Sequence, residues 1–97
     1  MARDELAAAW QQHCGVGWPQ FSSPNQGPLM TLDTVISGCV VFFLDSPEGL
    51  DHQRVALVRD CLSELDDLTG ELDADSQAYF LRLRRLGELL LTTAPQP

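Results

Sequence analysis

The chain has 97 residues, 44% of them hydrophobic, and carries fourteen acids against six bases for a net charge of -8. That length bounds it to one domain with one core, and that apolar content excludes wholesale disorder. The acidity excludes the basic footprint that nucleic acids and anionic membranes require, so neither is an expected partner.

Residues 3–13 predict a first helix, because Leu6, Trp10 and His13 recur at helical spacing and a run of alanines supplies propensity. The same segment places Asp4 and Glu5 where a signal peptide needs bases. No apolar run approaches the roughly 18 residues of a membrane span, so a soluble, cytoplasmic protein is expected.

Residues 15–28, GVGWPQFSSPNQGP, hold three glycines and three prolines, which predicts a long loop. Trp18 and Phe21 within it are expected to fold back over one end of the core. The alternative is an aromatic anchor for a protein partner.

The stretch 33–44, DTVISGCVVFFL, sets local propensity against period. Its β-branched and aromatic residues favour a strand, and Gly38 costs a helix about 1 kcal/mol relative to alanine. Yet Leu32, Val35, Ile36, Cys39, Val40, Phe43 and Leu44 fall on one face at helical spacing, and no strand alternation exists. A helix over 31–44 is predicted, with Thr31 or Asp33 as its N-cap.

Residues 45–49, DSPEG, are turn residues. Asp51 then caps a helix over 51–69, with Leu50 and Val55 placed for a hydrophobic staple and Gly70 for the C-cap. Val55, Val58, Leu62 and Leu65 form its seam. A last helix over 75–91 buries Tyr79, Leu83, Leu86 and Leu90, with Phe80 and Leu89 beside them, and 92–97 is a tail. The expected fold is an all-α single domain of about four helices. It has a C-terminal antiparallel αα-hairpin and a long Gly/Pro-rich loop after the first helix.

No metal or cofactor is expected. Cys14, Cys39, Cys61, His13 and His52 show no ligand spacing, and the odd, scattered cysteines read as small hydrophobes of a reducing compartment. GVG at 15–17 lacks the rest of any phosphate-binding fingerprint, and residues 66–76 do not fit a calcium loop. Asp75-Ser76 ahead of a helix resembles the serine site of acyl carrier proteins. Only 21 residues follow Ser76, however, and Gln77 stands where that family has leucine, so the resemblance fails.

What remains is charge. Asp60, Glu64, Asp66, Asp67, Glu71, Asp73 and Asp75 run from 60 to 75 without a base. A hairpin turning near 71 brings Asp60 level with Arg82, so Asp60 and Glu64 are expected to pair with Arg82 or Arg85. Asp66, Asp67, Glu71, Asp73 and Asp75 are then the expected partner-binding acids, with Trp18 and Phe21 as aromatic candidates. The expected function is a non-catalytic protein-binding module, a small acidic inhibitor of the immunity-protein or antitoxin kind that meets a basic protein. The alternative is a helical regulatory or assembly module that self-associates through Val41, Phe42 and Leu91. A small enzyme is the least favoured, since no nucleophile, base and stabiliser converge.

Overall fold

The stretch over 33–44 is helical throughout, so its period prevails over its β-propensity. The structure, a computed structural model, describes residues 2–19, 24–45, 49–70 and 72–93. Four helices, α1 (Ala2–Cys14), α2 (Gln26–Asp45), α3 (His52–Leu68) and α4 (Ala74–Thr93), form an all-helical bundle with no strand among the described residues.

α2 begins at Gln26, ahead of the expected 31. Pro28 is tolerated because it lies in the first turn, whose N–H groups have no acceptor within the helix. The Asn25 carbonyl accepts the Leu29 N–H at 2.9 Å and closes that turn. Thr31 and Asp33 are therefore interior residues rather than caps. The Thr31 hydroxyl donates back to the Gly27 carbonyl at 3.2 Å, and Asp33 turns inward. At 20 residues α2 is long and apolar enough to cross a membrane by length and composition, which a count of consecutive apolar residues misses. Here it buries Leu29, Leu32, Ile36, Cys39, Val40 and Phe43 against the other helices.

α3 begins at a side-chain cap. One Asp51 carboxylate oxygen accepts the Arg54 N–H at 2.8 Å, and Leu50 beside it is buried. The other end differs. α3 closes on Thr69 in a right-handed conformation, so Gly70 is not a left-handed cap. Among the described residues the positive φ lies at Gly49, 80°, in the approach to α3.

α2 and α4 pack on each other and each packs on both α1 and α3, whereas α1 and α3 do not meet. This arrangement makes the molecule 39 Å long with an unequal section of 25 × 16 Å. Ile36, Val40, Val58, Leu65, Phe80, Leu83, Leu86 and Leu90 fill the middle. Each such side chain contributes about 1.5–3 kcal/mol by leaving water. Gly87 of α4 is also buried, and a Cβ there would lie 2.7 Å from Leu62 Cδ2, so its missing side chain permits α3 to sit close.

α1 is attached by polar groups at both ends. Near its start, Arg3 donates to the carbonyls of Phe43 and Leu44 at 3.3 and 2.9 Å, with its guanidinium 4.7 Å from the Phe43 ring centre. α2 has no base in its own last turn, and Arg3 supplies the cation its C-terminus favours. Near the end of α1, His13 meets Asp33 of α2. These two contacts make α1 and α2 antiparallel.

Candidate functional site

α3 is amphipathic in charge as well as in hydropathy. Val58, Cys61, Leu62 and Leu65 define its buried side. Gln53, Leu57, Asp60, Glu64 and Asp67 advance by alternate steps of four and three, and all are exposed. At 100° per residue these five fall within about 80° of arc, opposite the core. Among the described residues Asp60, Glu64 and Asp67 make no ion pair. Like charges three or four residues apart cost a helix about 0.2–0.5 kcal/mol per pair, so this stripe is held against local repulsion. Leu57, 45% exposed, continues it toward the start of α3.

The expected pairing of Asp60 and Glu64 with Arg82 or Arg85 does not occur, because both acids point away from α4. Asp66, on the flank of α3 that faces α4, takes that place. Arg84 grips it through Nε at 2.8 Å and Nη2 at 3.0 Å, and also reaches Glu88 at 2.7 Å. The Arg84 hydrogen bonds hold the Asp66 carboxyl below the usual carboxylate range and keep the guanidinium charged beyond its own. Arg85 instead lies 3.7 Å from Glu5, and the Arg82 guanidinium lies 5.9 Å from the Tyr79 ring centre.

The other candidate acids have diverse settings. Asp73 accepts the Ser76 N–H at 2.8 Å and so caps α4, and this backbone donor lowers its pKa. Asp75 is exposed in the first turn of α4, where the helix dipole favours it. Asp67 is exposed at the end of the α3 stripe. Glu71 and Phe21 lie outside the described residues. Trp18 is half-buried and meets Tyr79 and Phe80 edge-on, with ring centres 5.4 and 5.6 Å apart.

Asp60 and Glu64 thus belong to the outward acidic face and not to the interhelical pairs that their sequence positions predict. The signal was present in their phase against the α3 seam.

A second polar group lies inside the bundle. His13 is buried, and its Nε2 is 3.3 Å from Asp33 Oδ1. The Tyr79 ring lies 4.8 Å from the His13 ring. Burial first, and the nearby Asp33 carboxylate second, push the Tyr79 phenol well above its ordinary pKa. His13 of α1, with Asp33 of α2 on its Nε2 and the Tyr79 ring of α4 beside it, thus ties three helices together. Cys14 follows His13 but is exposed, about 100° further round α1, so it does not share this cluster.

A cleft of about 250 Å³ between α3 and α4, lined by Leu65, Gln77, Phe80 and Arg84, is smaller than a usual small-molecule site. No group of three metal-ligating side chains occurs among the described residues. The chain matches no family model, no curated protein and no solved structure.

Proposed function

We propose that this chain is a non-catalytic protein-binding module that docks the outward face of α3 onto a basic surface of another protein, in the manner of a small immunity protein or antitoxin. The carrying observation is the stripe of Asp60, Glu64 and Asp67, all exposed and, among the described residues, without a base in ion-pair range. Leu57 at its end adds an apolar contact of the sort that sits at the centre of a docking patch. Acids arranged in this way steer a cationic partner into place and set the association rate.

The proposal narrows the binding face from the wider acidic segment. Asp66 and Asp73 already serve Arg84 and the α4 N-terminus, which leaves Asp67 and Asp75 of the originally expected set exposed to a partner. It also takes α3 and α4 as one antiparallel hairpin, supported by contacts from Asp66 to Arg84 and from Leu62 to the Gly87 position. A cytoplasmic site of action belongs to the same proposal.

The test is protection in cells. Proteins encoded beside this gene are co-expressed with it, and growth is scored for one that is toxic alone and harmless in its presence. Asp60→Asn, Glu64→Gln and Asp67→Asn combined should abolish protection while the helical spectrum persists. A triple variant that protects as well as wild type would remove α3 from the mechanism.

A further inference from the structure

Between Gln26 and Leu44 the only charged residue is Asp33, and it is turned inward to His13 and Tyr79. The outward side of α2 therefore carries no charge of its own over almost its whole length, in a chain of net charge -8, and a neighbouring cation is Arg54, whose guanidinium lies 3.8 Å from the Phe42 ring centre. Met30, Val41 and Phe42 on that side are 51, 44 and 37% exposed. Met30, Thr34, Ser37 and Val41 fall within about 60° of arc, with Gly38 beside them. Nothing lies within 4 Å of where a Gly38 Cβ would be, so this strip is open.

We propose that two copies of this chain associate through this face, with α2 packed antiparallel on α2 of the second copy about a two-fold axis between residues 35 and 36. Two arguments select a second copy as the occupant. The first is self-complementarity. Antiparallel pairing about that axis sets Met30 against Val41 of the other copy and Thr34 against Ser37, so large residues meet at both ends and small ones at the crossing. A two-fold interface requires this correspondence.

The second argument is charge. α2 has no acid in its first turn, yet carries Asp45 at its last residue, where its own dipole disfavours a carboxylate. The antiparallel pairing lays each Asp45 beside the N-terminus of the opposing α2, where the dipole favours it. The acid-bearing faces of α1 and α3 would instead repel their own copies.

The contact is small. A helix of this length presents a strip of about 30 by 10 Å on each copy, below the area of a standard stable interface, so the dimer is weak and forms only as concentration rises. It does not depend on the docking role of α3.

Sedimentation of the full chain under reducing conditions tests it, since exposed Cys14 would otherwise cross-link copies. The mass should rise with concentration from 10.7 kDa toward twice that. Met30→Lys and Val41→Glu should each weaken association at least about tenfold. An equimolar mixture of the two should restore the dimer, because the ammonium of Met30→Lys then faces the carboxylate of Val41→Glu across the interface. Thr34→Lys with Ser37→Glu is the second complementary pair if either first variant loses its helical spectrum. A wild-type chain that stays at 10.7 kDa, variants that dimerise like wild type, or a mixture that stays monomeric each overturns the proposal. The α3 triple variant should dimerise normally, which separates this outcome from the docking role.

Discussion

Replacing Gly38 and Gly87 by alanine, one at a time, should move stability in different directions. Both glycines lie well inside long helices, so each alanine gains about 1 kcal/mol of helix propensity. At Gly38 the new methyl meets nothing within 4 Å, and the full gain should appear. At Gly87 it would sit 2.7 Å from Leu62 Cδ2 and 3.2 Å from Cγ, and Leu62 is itself packed in the core. Overpacking of that kind costs about 1–3 kcal/mol, so the net change runs from neutral to about 2 kcal/mol destabilising. The two variants should therefore differ by about 1–3 kcal/mol. Urea unfolding measures this as a shift in midpoint at constant slope, at concentrations where the mass is 10.7 kDa. A thermal melt should separate them by at least about 4 °C. Trimming Leu62 to alanine should cost about 2–5 kcal/mol alone and relieve the clash when combined with Gly87→Ala, giving a favourable coupling. If Gly87→Ala stabilises as much as Gly38→Ala, the close approach of α3 and α4 at this point is wrong.

The remaining predictions use simpler readouts. Tyr79 is the only tyrosine, and its pKa is raised, so its stabilising effect is complete below the unfolded value of about 10 and is lost as pH rises through the folded one. Tyrosinate absorbance should consequently appear together with alkaline loss of helix. A reversible titration near pH 10 with helix intact would refute the burial of Tyr79 beside the Asp33 carboxylate. Trp18→Ala should cost about 2–3 kcal/mol through lost contact with Tyr79 and Phe80, whereas an unchanged melting temperature would leave Trp18 as a partner anchor. Cys14 alone should react with a thiol reagent in the native state, since Cys39 and Cys61 are buried and burial raises their pKa values. All three should react in urea, and rapid native labelling of two or more would contradict the packing of α2 on α3. Neutralising Asp60, Glu64 and Asp67 together should raise stability slightly at low salt and leave it unchanged at high salt. A loss of stability would mean that these acids hold the fold.

The helices were legible because apolar period is a property of the whole segment. Ile36, Leu62 and Leu83 could be assigned to the core without knowing their neighbours. Helix ends were less legible. Pro28 looks like a helix breaker unless it is known to lie in a first turn, and Gly70 looks like a cap unless the conformation of Thr69 is known. Ion pairing was the least legible. Which acid reaches which arginine depends on the rotation of α3 about its axis and on its offset from α4. About 100° of arc separates Asp66, which is bound to Arg84, from Asp67, which is not. The cluster of His13, Asp33 and Tyr79 gave no local signal, because each residue comes from a different helix and looks ordinary in its own segment.

The contact from Arg3 to the Phe43 and Leu44 carbonyls joins residues some forty positions apart. The final turn of α2 therefore draws its cap from the first turn of α1, and local opening of the two ends becomes one event. In amide hydrogen exchange, the last turn of α2 should share its opening free energy with the first turn of α1 and not with the middle of its own helix. A fusion partner or truncation at the N-terminus would then be sensed at residues 43–45, at the edge of the uncharged α2 face. Arg3 thus controls how firmly one end of that face is held.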